Sequence, residues 1–450
     1  SIPFCFSLDG GYRQYTRVGH EILNADAGNH LMPIPENLSY AGSALVEPWA
    51  CVEATYRIQY RSHIQCGGRM LVLGANSRNG MTTGNFLRGN FKPAEVVVSS
   101  IPVDLYQEIQ ELCRQSDISF QETSSETVLQ SDLQFDDVFL LDDAIRLLKD
   151  INALLAKNAV VALCQQSPSS RMADVDLGRI HYDAVQYTGT DSLDLSEAYS
   201  YLPTRSALKS RGRTLILGAG GPMGRMNLQR AIQTPDGPVE ILASECNPNR
   251  LNQLEITFKS MAEQEGVILS PVNPGDKTGW YEEEMQRILS LGGFDDIRLM
   301  AVSPELLQNI LPYCANHGIV DIFAGLKRGT TAAIPADLIC GPSQVRLIGH
   351  SGLKHADEQA VLQKSTDRTL TLEQSVAAIG GLLQIPEAIE ALENSTFPGK
   401  ILIYPHVRSF PLTGLPGLKD TAAEVYAALG KAETWTQQAE RVFLDMYLDG

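Results

Sequence analysis

Residues 213–226 read RTLILGAGGPMGRM, and the fold follows from this stretch. The apolar run TLIL has strand length. It ends in a turn that carries Gly218, Gly220, Gly221 and Gly224, with Pro222 and Met223 between them. Such a turn between a strand and a helix lets the backbone approach a pyrophosphate, and the helix N-terminus offers free N–H groups and a positive dipole. The next apolar run, VEILASE from Val239, ends at Glu245, 21 residues past Gly224. A carboxylate there accepts both hydroxyls of an adenosine ribose and repels a 2′-phosphate, which favours NAD over NADP. Arg250, about one helical turn further, is expected over the adenosine. The competing reading is a Gly-rich structural turn followed by a solvated Glu.

Upstream, RMLVLGANSRNGM from Arg69 repeats the arrangement of strand, Gly, Ala, four residues and Gly. The copies stay in register. Phe135, Asp136, Asp137 and Leu140 answer to Phe294, Asp295, Asp296 and Leu299 at an offset of 159. AVVALC from Ala159 answers to GIVDIF from Gly318, and VQYTGT from Val185 to VRLIGHS from Val345. Several matches at nearly one offset imply duplication. Alternating strand and helix patterns imply doubly wound parallel sheets, so the chain is predicted to be α/β with two tandem Rossmann-type units, 65–192 and 213–352. A polar, helical-looking linker, 193–212, joins them. Short β pattern precedes the first unit. After the second come a helix pattern (PEAIEALENS from Pro386), a strand (KILIYPHV from Lys400) and two helices. In the first copy Asn76 replaces the second glycine, Arg78 replaces the proline, and EVVVSS ends in Ser99 and Ser100 without an acid. A Cβ at Asn76 would crowd a phosphate, so this copy is read as scaffold.

The chain has 450 residues and a formal net charge of -17. An acidic surface disfavours nucleic acid and anionic membranes as partners, and no apolar run approaches the ~20 residues that a membrane span needs. Eight cysteines without a CxxC pair fit reduced thiols and a cytoplasmic location.

DGGYRQYTRV from Asp9, LMPIPENLSYAGSALVEPWACV from Leu31, GAGGPMG, FAG at Phe323 and PGKILIYPHV from Pro398 together resemble landmarks of zinc-type medium-chain dehydrogenases, in particular the L-sorbose 1-phosphate reductase and polyol dehydrogenase branch. The resemblance implies a GroES-like β catalytic domain, represented in part by 1–64, with a return to it within 353–450 and a helical extension. It implies NAD, zinc, and a small alcohol or ketone substrate. It places a surviving metal-ligand position at Glu47, with the other ligands upstream of Ser1. Zinc at such a site polarises a carbonyl or alkoxide; the competing reading of Glu47 is a carboxylate at a helix N-terminus. The resemblance also implies nicotinamide contacts around Ala301, Val302, Phe323, Ala324 and Gly325, a phosphate contact from Lys400, and a substrate or proton-relay role for His350. VGHEIL from Val18 contains Gly-His-Glu, but Ala25 stands where the family's motif has glycine, so His20 is read as incidental. Cys5 and Cys51, without a partner His, read as small core residues.

The function so implied is NAD-dependent, zinc-assisted interconversion of a secondary alcohol and ketone in a polyol, sugar or sugar phosphate. The alternatives are a non-catalytic NAD-binding sensor or scaffold, suggested by the degenerate first unit, and a zinc-free reductase of the quinone type. Medium-chain dehydrogenases commonly pair nucleotide domains through their last strands. The two units are therefore expected to form an intramolecular pseudo-dimer, with Val185–Thr190 and Val345–Ser351 adjacent and antiparallel.

Overall fold

The computed structural model describes residues 10–24, 28–166, 171–200 and 205–448; Cys5 and Ala25 lie outside them. The first unit contains β1 (Arg69–Ala75), β2 (Glu95–Ser99), β3 (Ser119–Glu122), β4 (Phe135–Asp142), β5 (Leu155–Cys164), β6 (Met172–Asp176) and β7 (Gln186–Thr190). Six of these form a parallel sheet in the order β3-β2-β1-β4-β5-β7. The second contains β8 (Arg213–Leu217), β9 (Glu240–Ser244), β10 (Ile268–Val272), β11 (Phe294–Leu299), β12 (Cys314–Ile322), β13 (Thr331–Pro335) and β14 (Arg346–Ile348), and its sheet runs β10-β9-β8-β11-β12-β14. Both are Rossmann orders, with the crevice where the strand order reverses. Their central strands are buried on both faces, so they appear in the sequence as continuous apolar runs.

Paired aspartates at the start of β4 and β11 explain much of the repeat. Asp137 accepts from Arg61 Nη1 (2.7 Å) and Gln65 N (2.9 Å), while Asp136 accepts from Arg69 N (2.9 Å). Asp296 accepts from Arg205 Nη1 (2.6 Å) and Lys209 N (2.8 Å), while Asp295 accepts from Arg213 N (2.9 Å). Each Asp-Asp pair thus clamps an arm that leads into the first strand of its unit. The second arm lies inside 193–212, so that stretch is not a free tether.

Two expectations of secondary structure fail. No helix follows the first copy's turn: between β1 and β2 the chain runs through turns and loops. Gly80, Gly84 and Gly89, interleaved with Asn79, Asn85 and Asn90, lower helix propensity too far. Nor do the described residues of 10–64 contain a strand. Their main element is helix α1 (Val46–Thr55). Pro48 falls in its first turn, where a missing N–H costs little, and Trp49 and Val52 enter the core. The C-terminal lobe holds β15 (Val376–Gly381), β16 (Lys400–Tyr404) and β17 (Thr413–Gly414) in the order β16-β15-β17.

The units meet through β6 and β13, which pair antiparallel from Thr331↔Asp176 to Pro335↔Met172. The last strands, β7 and β14, lie against one another, but they form no hydrogen-bonded ladder as expected of them; the ladder sits one strand upstream in each unit. Helix α2 (Leu177–Asp183) of the first unit packs beside β14, and the short helix Asp337–Cys340 of the second packs beside β7. A Cβ on Gly189 would stand 2.6 Å from the Cβ of Cys340, so glycine is what permits the approach. One apolar core runs through both units, with Leu140, Leu163 and Ile180 joined to Leu299, Val320 and Val345. Among the described residues no helix is long and apolar enough to cross a membrane, and the seven cysteines among them are free.

Candidate cofactor site

The turn after β8 is built for close approach. Gly218 has φ +80°, a conformation that favours glycine. Helix α3 (Pro222–Ile232) begins with Gly221 as N-cap and Pro222 in its first turn. Gly221 has no side chain to cap the helix, so the N–H groups of Met223 and Gly224 remain directed out of the helix end. A Cβ on Gly224 would stand 2.8 Å from the carbonyl carbon of Ala219, so glycine lets the helix pack tightly on the strand end.

Glu245 lies just past the end of β9 and is buried. Its Oε2 accepts from Gly220 N at 3.0 Å and its Oε1 from Asn247 N at 2.9 Å. The carboxylate therefore closes the turn across the sheet while presenting remaining lone pairs. A Cβ on Gly220 would stand 2.7 Å from Glu245 Cγ and 2.8 Å from Arg250 Cβ. The expected trio of Gly220, Glu245 and Arg250 is thus one cluster. Asn247 caps helix α4 (Pro248–Gln264), which carries Arg250.

Ala301 and Val302 follow β11. A Cβ on Gly218 would stand 3.4 Å from Ala301 N, so they border the turn. Phe323, Ala324 and Gly325 follow β12, and the Phe323 ring lies 6.0 Å from that of His350. Lys400, at the start of β16, reaches Met223 Sδ at 3.5 Å. Burial holds its pKa down, against the attraction of Glu47 and Cys51.

His350 is held by both ring nitrogens: Nδ1 is 3.1 Å from Thr55 Oγ1 and Nε2 is 3.1 Å from the Cys51 carbonyl. Burial pushes its pKa down. In this arrangement the ring pins α1 to the end of β14, with both nitrogens engaged within the protein. Tyr60 reinforces the same joint: its hydroxyl bonds the Gly349 carbonyl (3.0 Å) and Gly349 N (2.9 Å).

Glu47 is exposed in the first turn of α1, where its charge meets the positive end of the helix. The Cys51 thiol donates to its Oε1, with Sγ at 3.7 Å. Burial, then Glu47, push the Cys51 thiol up to about 12. Among the described residues no group of three or more His, Cys, Asp or Glu is placed to hold a metal. These donors do not fit a zinc site. His20 is exposed and lies 3.6 Å from Glu21.

The first unit's turn is filled from within. Asn76, at φ +49°, donates to Asp143 Oδ2 at 2.9 Å. Arg78 N points to Asp142 Oδ2 (3.4 Å), and Gly80 N donates to Asp104 Oδ2 (2.5 Å). Carboxylates occupy the N–H groups that a phosphate would need.

Sequence reasoning missed what the first unit contributes next to the second unit's site. His181 of α2 contacts the Ile322 carbonyl through Nδ1 at 3.2 Å. A Cβ on Gly325 would stand 2.5 Å from the Tyr182 hydroxyl and 3.2 Å from His181 Nε2. Arg328 pairs with both oxygens of Asp183 at 3.0 Å, and Gly329 N donates to Asp176 Oδ2 at 2.8 Å. The loop carrying Ala324 and Gly325 is therefore moulded on the other unit. The run GRIHYD reads as one more helix turn, and only the tertiary contact reveals its place.

No protein-family profile matches the chain. Over 253 residues it is 28% identical to mannitol-1-phosphate 5-dehydrogenase of Aliivibrio fischeri, a match covering 53% of this chain and 58% of that protein. Over 240 residues it is 25% identical to L-sorbose 1-phosphate reductase of Klebsiella pneumoniae, covering 53% and 56%. The chain thus spans less than two thirds of either relative. Among solved structures, 2R,3R-butanediol dehydrogenase from Bacillus subtilis shares 22% identity with a TM-score of 0.35, covering 44% of this chain and 52% of the other. The chain is similar in sequence to enzymes named for sugar and polyol phosphates.

Proposed function

We propose that this chain is an NAD(H)-binding oxidoreductase of the alcohol and polyol type, with one cofactor site, in the second unit. The supporting observation is the cluster at the turn, where Gly220 and Glu245 are joined by a hydrogen bond of 3.0 Å beside an uncapped helix end. Similarity to two enzymes named for polyol and sugar phosphates supports the reaction class.

When bound, NAD supplies the hydride acceptor. The chain's own residues bind and orient it. The N–H groups of Met223 and Gly224 meet the pyrophosphate, with Lys400 nearby as a cation. Glu245 accepts from the ribose hydroxyls and disfavours a 2′-phosphate. Ala301, Val302, Phe323, Ala324 and Gly325 line the nicotinamide end, and α2 of the first unit holds that loop in place. His350 fixes α1 against the strand end. No step is assigned to zinc. The substrate is a secondary alcohol or ketone of a polyol, sugar or sugar phosphate.

The poor fit of Glu47 and Cys51 to zinc favours a second reading, an NAD-binding sensor or scaffold. Calorimetry with NADH and NADPH tests the shared part: one NADH per chain is expected, with NADPH weaker. Two equivalent sites, or a preference for NADPH, would overturn the assignment. Turnover of sugar alcohols or their phosphates by the NADH-binding chain separates enzyme from sensor.

A further inference from the structure

A cleft of about 820 Å³ opens between α4 and the C-terminal lobe. None of Gly218–Gly224, Ala301, Ala324, Gly325 or His350 lines it; it meets the strand-end site only at Arg250 and at Asn247, whose N–H bonds Glu245. Its walls are rich in neutral hydrogen-bonding groups, among them Asn247, Gln253, Thr257, Asn394 and Thr396. The carboxylate on its lining, Glu433, already accepts from the Tyr426 hydroxyl at 2.7 Å.

Arg225, on α3, forms part of the wall. It is 8% exposed. Nη2 donates to Thr257 Oγ1 at 2.9 Å, and the guanidinium lies 5.1 Å from the centre of the Phe258 ring. Nη1 is buried without a hydrogen-bond partner, and no described carboxylate pairs with this side chain. A buried guanidinium without a counter-charge is costly. In a protein with a net charge of -17 it is also out of keeping with its surroundings. Arg offers a planar fork of donors suited to phosphate or carboxylate, while amides and hydroxyls suit a chain of alcohol groups.

We propose that this cleft binds a small polyhydroxylated anion, its phosphate or carboxylate held by Arg225 and its hydroxyl groups by the amide and hydroxyl side chains of the walls. Burial alone lowers the Arg225 pKa to about 10, so the side chain remains a cation at neutral pH. The site depends on neither the cofactor nor the reaction assigned above.

Calorimetry on the full chain with glucose 6-phosphate, gluconate, inorganic phosphate and glucose tests this. Glucose 6-phosphate or gluconate is expected to bind saturably, inorganic phosphate at least about tenfold more weakly, and glucose not at all. Arg225→Gln should weaken the anion at least about tenfold without lowering the unfolding midpoint of the free protein, because it removes an uncompensated charge; Arg225→Lys should recover part of the affinity. Thr396→Glu changes only an exposed wall residue and should also weaken the anion, which keeps the test valid if Arg225→Gln does not fold. Gly220→Asp should weaken NADH binding on the order of 100-fold and leave the anion bound. Absence of binding by both polyhydroxylated anions, equal binding of inorganic phosphate, equal binding by Arg225→Gln or Thr396→Glu, or loss of the anion in Gly220→Asp would each overturn the proposal.

Discussion

At the scale of single residues, Gly220 and Glu245 show how one position serves two ends. The Gly220 amide ties the turn to Glu245, and its missing side chain leaves room for that carboxylate and for Arg250. Gly220→Asp adds both a clash and a second negative charge. NADH affinity, followed by fluorescence titration, should fall on the order of 100-fold, about 2.8 kcal/mol. Asn76→Asp in the first unit should leave it unchanged, because that turn already binds its own carboxylates. Two histidines give a pH dependence whose sign can be worked out. Burial holds both His181 and His350 below the ordinary value of 6.5; Asp321 and the carbonyls of Ile322 and Cys51 oppose this and are outweighed. The unfolded chain therefore takes up protons at a higher pH than the folded one. Stability is fully present above about pH 6.5 and is lost as pH falls from there through the folded values. The thermal midpoint should drop between about pH 7 and about pH 5.5. His350→Gln should flatten that slope, and an unaltered slope would show that folding does not shift the His350 pKa.

At the scale of elements, helix α2 and the loop after β12 act as one piece. Asp183 is buried and joins Arg328 of the loop to Arg179 of its own helix. Asp183→Asn keeps the shape and removes the charge. It should cost about 1.5–3 kcal/mol, the range for hydrogen bonds to charged groups, and weaken NADH binding although Asp183 lies in the unit without the cofactor turn. Equal NADH affinity in the variant would show that the loop is held elsewhere. This element also marks where sequence reading ends. The strands at Arg69 and Arg213, their buried partners and the Gly218–Glu245 cluster were legible because each follows from a local pattern: an apolar run, a glycine turn, an acid at a fixed distance. The Asp-Asp repeat was legible as a match, but its clamp on Arg61 and Arg205 was not, since the partners lie 76 and 91 residues away. The missing helix after β1 was foreshadowed by Gly80, Gly84 and Gly89, which the likeness to the second copy obscured. The α1 helix lies in a stretch with short β pattern, yet its buried Val46, Trp49, Ala50, Glu53 and Ala54 follow a helical spacing. His181 and Tyr182 carry no local signal for their position, which arises only when two units separated in sequence fold together.

At the scale of the whole molecule, the question is whether the chain behaves as two domains or one. Rossmann units joined by a tether would unfold separately. Here the apolar core passes from Leu163 and Ile180 into Val320 and Val345 without a break, and β6 and β13 share a ladder. The edges of β7 and β14 are buried, which satisfies the need to shield strand edges from other chains. We propose that the two units stand to each other as the subunits of a dimer, made permanent by a covalent link that keeps their effective concentration high. Urea denaturation should then give one transition for both units, with tryptophan fluorescence and far-UV circular dichroism coinciding. Gly189→Val tests the junction directly. The added side chain would be driven into Cys340 of the opposite unit and the Leu163 carbonyl. Overpacking of a tight core costs roughly 1–3 kcal/mol. Because the damage lies between the units, it should lower the single midpoint and also weaken NADH binding in the second unit, through α2 and its loop. Two separate transitions in the unaltered chain would sink the idea of one cooperative body. A Gly189→Val protein that lost stability while keeping full NADH affinity would show instead that the first unit is attached to the cofactor site without supporting it.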